Sequence, residues 1–108
     1  MENQMFDYIV IGGGSAGCVL AGRLSENPEI SVCLLEAGSH GNTWTVNTPA
    51  AAVISIPSKI NNWAFETVSQ KGLNGRKGYQ PRGKCLGGSS AINAMIYVRG
   101  HQKDYDRW

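Results

Sequence analysis

Six consecutive residues near the N-terminus, 12–17, carry the pattern of a phosphate-binding turn. They read Gly-Gly-Gly-Ser-Ala-Gly, so Gly12, Gly14 and Gly17 supply a G-x-G-x-x-G motif. In such a motif the first glycine permits a tight turn and the second lets the backbone approach a pyrophosphate. The third lets the following helix pack closely on its strand, and the helix N-terminus offers N–H groups and partial positive charge to the phosphates. The chemistry predicted here is dinucleotide binding.

An acidic residue follows at the distance expected of a ribose ligand. Glu36 stands at the end of the next apolar run, close to the offset of about 20 residues at which a ribose-binding acid follows such a turn. A carboxylate there accepts hydrogen bonds from ribose hydroxyls and repels a 2′-phosphate, which disfavours NADP. The alternative is a glycine-rich turn of a parallel sheet without a ligand. The combination of turn and acid argues against it.

The same six residues contain a motif for a different chemistry. Gly13, Ser15 and Gly17 match G-x-S-x-G, the turn that exposes the nucleophile of many serine hydrolases, and His101 follows later in the chain. Such a turn normally comes after several strands, whereas only one short apolar run precedes this one. A hydrolase is therefore the weaker prediction.

A second glycine-rich stretch occupies residues 83–93 and begins next to Arg82. It contains Gly-Gly-Ser-Ser within an acid-free region, because no Asp or Glu occurs at positions 67–103. The residues alone favour two interpretations equally. One is an anion-binding nest of backbone N–H groups, and the other is a helix start with Ser89 or Ser90 as the N-cap.

The acid-free region carries seven Lys and Arg, which raises the question of a nucleic-acid partner. Only Tyr79 and Tyr97 lie among them, and no nucleic-acid-reading motif is present. We therefore expect no nucleic-acid partner.

The elements that must place these residues follow from the apolar pattern. A β-rich run at 6–11, a helical apolar stripe from Ser15 to about Glu26 and a second β-rich run at 30–35 predict one βαβ unit. The continuous apolar character of the first run predicts a strand buried on both faces. Beyond it we expect a short helix near 49–56, an edge strand near 63–68, a basic loop at 69–84, a helix opening within 88–95, a strand at 96–98 and a helix from 102.

The composition limits the class of protein and the compartment that the chain fits. The chain has 108 residues, 42% hydrophobic and 17% charged, which is typical of globular protein. It contains no apolar run long enough to cross a membrane and no secretion signal. Its three cysteines form no C-x-x-C, so we expect a reducing, cytoplasmic compartment and no metal site. Cys18 and Cys33 are expected to be buried, and a reactive Cys85 is unsupported.

Two segments together resemble a known enzyme family. Residues 83–106 look like the first signature of the glucose–methanol–choline (GMC) oxidoreductases, flavoenzymes that oxidise alcohols, and are most similar to the choline-dehydrogenase-like group. Residues 8–17, with Leu-Leu-Glu-Ala-Gly at 34–38, resemble the FAD-binding βαβ unit of that family. The resemblance implies that residues 1–108 are the N-terminal portion of a Rossmann-like α/β FAD-binding domain with a parallel sheet, an incomplete domain without its substrate domain.

The resemblance also implies a role for particular positions. The FAD pyrophosphate would be held by the first turn, the adenosine ribose by Glu36, and the isoalloxazine ring would be approached by a later segment. The implied FAD-binding residues are Gly12, Gly14, Ser15, Ala16, Gly17, Glu36, Ala37, Arg82, Gly83, Gly87, Gly88, Asn93, Ala94 and Met95. Trp63 matches a family aromatic near the edge of the flavin domain, whereas packing is the simpler expectation for Trp44 and Trp108.

Two departures from the family pattern limit what the chain does by itself. Some members attach FAD through a histidine at the position of Ile92, so we expect non-covalent FAD. The family's proton-accepting histidine lies far beyond residue 108, and His40 and His101 match no catalytic position. The alcohol substrate and the electron acceptor would therefore act through the missing portion. The alternative is a non-catalytic dinucleotide-binding module or remnant.

Overall fold

A βαβ unit forms the N-terminal third of the chain. The computed structural model describes residues 4–108, and in it β1 (Tyr8–Ile11), α1 (Ser15–Leu24) and β2 (Val32–Leu35) follow one another. The two strands pair in parallel along their whole lengths. This confirms the predicted α/β class and the predicted unit, with each element somewhat shorter than its apolar run.

The ends of α1 follow from its sequence. Gly14 is the N-cap in an extended conformation, and Ser25 closes the helix by donating its N–H to the Ala21 carbonyl at 3.1 Å. Pro28, which has no N–H to donate, follows shortly afterwards. The helix therefore begins directly after the glycine turn and ends before Pro28.

The prediction that β1 is buried on both faces is wrong for this chain. Ile9 is 60% exposed and Ile11 85% exposed. In the described part of the chain β1 pairs only with β2, so one edge stays open, and α1 packs against the strand pair. Continuous apolar character is typical of a strand covered on both faces, and this one lacks such cover.

The middle of the chain forms short helices and a hairpin. α2 (Trp44–Asn47) was not predicted, whereas the helix expected near 49–56 is present as a 3-10 turn (Pro49–Ala51) that continues into α3 (Ala52–Ser55). The predicted edge strand is β3 (Phe65–Glu66).

The predicted basic loop is the outer part of this hairpin. β3 pairs antiparallel with β4 (Tyr79–Gln80), a strand that the sequence did not predict. A 3-10 turn, Lys71–Leu73, lies in the connection.

The C-terminal third is largely irregular. The helix expected within 88–95 is only a 3-10 turn, Gly88–Ala91, and residues 96–98 form no strand and are exposed. The last element is α4 (Gln102–Asp106), in agreement with the helix predicted from residue 102. The strand prediction at 96–98 failed because β-branched residues there find no partner strand.

Residues 83–88 pair with three separate parts of the chain. Isolated bridges join Gly87 to Gly14, Cys85 to Ser39 and Gly83 to Asn62. Cys85 is completely buried at this junction, and the other buried apolar residues are Ala51 and Ile92. The buried apolar core of the described chain is therefore small, and Cys85 is the member of it that lies at this junction.

The chain is extended for its size. Its radius of gyration is 18.1 Å, against about 13 Å for a compact domain of about 100 residues. Within residues 4–108 no helix has the length and apolar character needed to cross a membrane.

Candidate functional site

A groove opens at the carboxyl ends of β1 and β2, where parallel sheets usually bind ligands. Its volume is about 390 Å³. The first glycine turn, the end of β2 and the second glycine stretch all contribute to it. Of the predicted residues it is lined by Gly12, Gly14, Glu36, Ala37, Arg82, Gly83 and Gly88.

Two glycines of the first turn leave space that a side chain would fill. A Cβ atom built on Gly12 meets nothing within 4 Å, and one built on Gly14 comes no closer than 4.0 Å to any atom. Gly12 also has φ +96°, a conformation that favours glycine. Because both residues line the groove, their bare backbone leaves room for a ligand to approach, as the pyrophosphate of a dinucleotide requires.

Gly17 allows close packing of α1 rather than space for a ligand. A Cβ there would lie 1.8 Å from the Gly12 carbonyl oxygen, so only glycine lets α1 pack this close to the turn. The first turn of α1 contains no acidic residue, and no side chain caps it. Its N–H groups, including those of Ser15 and Ala16, therefore retain the partial positive charge that binds anions.

Glu36 is hydrogen-bonded to the backbone of the first glycine turn and to the backbone of the segment that follows β2. Its Oε2 accepts the N–H of Gly13 at 2.7 Å, and its Oε1 accepts the N–H of Gly38 at 2.9 Å. A carboxylate offers about four acceptor sites, so each oxygen keeps capacity for a ribose hydroxyl. Glu36, the residue predicted to bind ribose, therefore also acts as a clamp: its carboxylate holds the glycine turn by hydrogen bonds. The sequence spacing did not predict this role.

The second glycine stretch is shaped by close packing against the first. A Cβ on Gly88 would lie 2.8 Å from the Gly14 Cα, and one on Gly83 would lie 2.0 Å from the Gly88 carbonyl oxygen. Gly87 donates its N–H to the Gly13 carbonyl at 2.6 Å. These glycines place one turn on top of the other, so that Gly83 and Gly88 reach the groove while Gly87 does not line it.

The prediction that Ser89 or Ser90 caps a helix is wrong. Gly87 is the N-cap of the 3-10 turn, and no side chain caps it. Ser89 Oγ instead accepts the Gly83 N–H at 3.2 Å, and Ser90 Oγ donates to the Gly87 carbonyl at 2.7 Å. Both hydroxyls stabilise the glycine stretch itself.

A second cavity, of about 230 Å³, adjoins the groove as its continuation. Arg82 and Ser89 line both cavities, and Asn93 and Ala94 line the second one. Glu36 and Asn93 therefore lie in neighbouring cavities that share one wall. Met95 lies next to these residues and lines a neighbouring cavity instead.

The aromatic wall of the groove consists of Trp63 and Phe65. Their rings stack at 5.7 Å with an angle of 7° between the planes, and the Lys84 Nζ lies 4.2 Å from the centre of the Trp63 ring. Lys84 is thereby held against the indole ring, so Arg82 is the cation that lines the groove.

The other singled-out side chains lie outside the groove. Burial, and secondarily the negative charge of Glu36, raises the pKa of the Cys85 thiol. Cys18 and Cys33 are only partly buried, contrary to expectation, and Trp44 and Trp108 are exposed, so neither tryptophan lies in the core of the described chain. Residues 4–108 contain no group of three acidic, His or Cys side chains that would hold a metal ion.

Four groove residues were missed by sequence reasoning. Ile11 and Leu35 line it because they end the two parallel strands, a position that the strand predictions could have marked, and Phe65 lines it from the predicted edge strand. Ser89 belongs to the Gly-Gly-Ser-Ser run that the sequence offered as an anion-binding nest or a helix start, but its side chain was singled out only as a cap.

Fold and groove together define a class: an α/β protein whose glycine turn, acidic strand end and helix N-terminus have the arrangement typical of dinucleotide-binding domains. The profile of the family described as "GMC oxidoreductase" matches residues 6–108. The chain belongs to this family. The membership confirms the resemblance inferred from the two glycine-rich segments.

Known relatives match nearly all of the chain. It is 54% identical to "Alcohol dehydrogenase [acceptor]" of Pseudomonas putida and 51% identical to the mitochondrial choline dehydrogenase of Homo sapiens, over 96% and 95% of the chain. A solved structure of an Aspergillus oryzae formate oxidase variant, described by the effect of its mutation on FAD modification, covers the whole chain at 37% identity with a TM-score of 0.79. The chain spans about a fifth of the length of these proteins, between 18% and 19%.

Proposed function

We propose that this chain is the FAD-binding portion of a flavin-dependent alcohol oxidoreductase and that it holds FAD non-covalently. The observation that carries the proposal is the pair of adjoining cavities with Glu36 in one and Asn93 in the other, which share Arg82 and Ser89. A dinucleotide is a long ligand with a ribose at one end and a reactive ring at the other. The cavities offer a carboxylate at one end, Arg82 between them and an acid-free, partly apolar lining at the other end.

The residues fit FAD between these two ends as well. The bare backbone of Gly12 and Gly14 would receive the pyrophosphate, and the N-terminus of α1, with Ser15 and Ala16, would supply N–H groups and positive potential. Arg82 adds a full positive charge at the same wall.

The two ends of FAD would meet different surroundings. Glu36 would accept the ribose hydroxyls beside Ala37, while the backbone at Gly83 and Gly88 would line the middle of the cofactor. Asn93 and Ala94, with Met95 next to them, would approach the ring end. Ile92 offers no nucleophile for a covalent link, which supports a cofactor that can be released.

When bound, FAD supplies the acceptor for the hydride that leaves the carbinol carbon of an alcohol. The residues of this chain bind and orient, since neither His40 nor His101 lines the groove or its continuation. We propose that the base that takes the alcohol proton, the alcohol pocket and the contact with the electron acceptor lie in polypeptide outside residues 1–108.

A reducing, cytoplasmic location is part of the proposal. It is supported by the three free thiols, Cys18, Cys33 and Cys85, which form no disulfide with one another.

The test starts from the natural polypeptide that carries this sequence. It should copurify with a yellow cofactor that acid precipitation releases and that chromatography identifies as FAD. Alcohol-dependent reduction of an artificial dye, with choline and simple primary alcohols as substrates, should accompany it. A polypeptide that binds FAD without oxidising any alcohol would point to the non-catalytic module, and one that binds no FAD would refute the proposal.

A matched pair of variants locates the binding site. Gly14→Ala should weaken FAD binding about tenfold or more, because its methyl group would occupy groove space while meeting the protein only at the Gly88 Cα, at 4.0 Å. Gly72→Ala should bind FAD normally, since Gly72 lies in the hairpin connection and its added methyl meets nothing within 4 Å. Equal FAD affinity of the two variants would place the cofactor elsewhere.

A further inference from the structure

Met95 has a backbone conformation that its side chain does not favour. Its φ is +53°, in the left-handed region, which only a few per cent of non-glycine residues adopt, mostly Asn and Asp. Something in the surroundings must stabilise this conformation, and the residue two positions earlier does so.

The side chain of Asn93 makes both hydrogen bonds that define the turn. Its Oδ1 accepts the Met95 N–H at 2.6 Å, and its Nδ2 donates to the Ser90 carbonyl at 3.0 Å. An asparagine that bonds the backbone two residues further on replaces one turn of backbone hydrogen bonding. Asn93 thus connects the 3-10 turn that ends the glycine stretch to the left-handed residue.

The same arrangement occurs a second time on the opposite part of the groove. Asn62 Oδ1 accepts the Ala64 N–H at 3.0 Å, and Ala64 has φ +51°. In each case the residue between the asparagine and the left-handed position lines the ligand surface: Trp63 lines the groove and Ala94 lines its continuation.

We propose that Asn93 is a positioning residue, whose amide holds Met95 left-handed and thereby fixes Ala94 on the wall that faces the ring end of the dinucleotide. This inference rests on the proposed function. It assigns the effect of Asn93 to the turn it makes rather than to a contact of its own with the cofactor. Asn62 acts likewise on Trp63, but its many other hydrogen bonds make it a poor residue to test.

The test separates the turn from a direct contact. In the natural polypeptide, Asn93→Leu removes both hydrogen bonds at similar size and should weaken FAD binding about tenfold, the effect of losing about one hydrogen bond. Adding Met95→Gly should restore the affinity to within about threefold, because glycine adopts the left-handed conformation without strain. Binding is measured by the quenching of flavin fluorescence.

Two results would overturn the inference. One is a double variant that folds yet binds FAD as weakly as Asn93→Leu, which would mean that the amide itself contacts the cofactor. The other is an Asn93→Leu variant with unchanged affinity. Asn74→Leu is the control for the same substitution elsewhere: Asn74, itself left-handed with φ +54°, lies in the hairpin connection and lines neither cavity, and its substitution should leave FAD affinity unchanged.

A measurement made without FAD distinguishes failure of this inference from failure of the proposed function. In the cofactor-free polypeptide, the Met95 amide should exchange its hydrogen more slowly than the neighbouring exposed amides. In Asn93→Ser the Met95 amide should exchange at an intermediate rate, because the serine hydroxyl accepts the same hydrogen bond more weakly. Fast exchange of this amide in the unaltered polypeptide would overturn the inference even if FAD binds and even if the leucine variant fails to fold.

Discussion

Two glycines of α1 offer a comparison in which the same substitution should have opposite effects. Gly17 faces the first turn, where an added Cβ would lie 1.8 Å from the Gly12 carbonyl oxygen, whereas a Cβ on Gly22 would meet nothing within 4 Å. Each change to alanine adds one methyl group to the same helix. Only the space that receives the methyl group differs.

The magnitude follows from that distance. Real Cβ atoms essentially never come closer than 3.0 Å to another heavy atom, so Gly17→Ala must move helix and turn apart until the 1.8 Å separation reaches at least 3.0 Å. Overpacking costs typically about 1–3 kcal/mol, and backbone atoms cannot rotate out of the way as a side chain would. Gly22→Ala should instead gain up to about 1 kcal/mol from helix propensity.

The assay is urea unfolding of the natural polypeptide without cofactor, followed by a titration with FAD. The helix-propensity gain is common to both changes, so the free energy of unfolding should be about 1–3 kcal/mol lower for Gly17→Ala than for Gly22→Ala, which is the overpacking cost. Gly17→Ala should also bind FAD at least about tenfold more weakly, because the displaced helix no longer directs its N–H groups at the groove. Equal stabilities would refute the reasoning, since they would show that Gly17 is not packed against the turn.

Three further perturbations address the clamp, the buried thiol and the start of β1. Glu36→Gln leaves one oxygen for two backbone N–H groups, so the free energy of unfolding should fall by about 1.5–3 kcal/mol in a urea titration; an unchanged midpoint would contradict the clamp. Cys85 should react with a thiol reagent at neutral pH at least about tenfold more slowly than Cys18, because burial raises its pKa and blocks access; equal rates by mass spectrometry would contradict this. The N–H and hydroxyl of Ser31 lower the pKa of Asp7, so the stability that Asp7 adds is present above its ordinary value of 3.8 and is lost as the pH falls through the lowered pKa. Asp7→Asn should therefore melt below the unaltered protein at pH 7 and converge with it in acid, and a difference that persists at low pH would contradict the assignment.

The parts of the site that sequence predicts are those encoded locally. The first glycine turn, α1 and the acid at the end of β2 follow from motif spacing and apolar periodicity inside a single βαβ unit, and the structure has them in place. The arrangement of 83–88 on that turn is not local, since its partners lie at Gly14, Ser39 and Asn62. Periodicity carries no information about such pairings.

The errors have physical reasons as well. The sequence predicts that β1 is buried because its residues are apolar. Apolar character favours burial, but the described chain has too few neighbouring elements to bury Ile9 and Ile11. The Asn93 turn escaped notice because a side chain that bonds backbone two residues on leaves no apolar pattern. Short elements such as α2, with four residues, contain too few positions for a period to emerge.

The bridge between the two glycine stretches also sets an order of events during synthesis. Gly13 leaves the ribosome well before Gly87, whose N–H its carbonyl accepts in the finished fold. Because synthesis adds about 5–20 residues per second, the first turn waits on the order of ten seconds for its partner. During that interval the residues of the second glycine stretch, which line one side of the groove, have not yet been synthesised. A ligand that contacts both glycine stretches can therefore find both only after residues 83–89 have emerged, late in the translation of this segment.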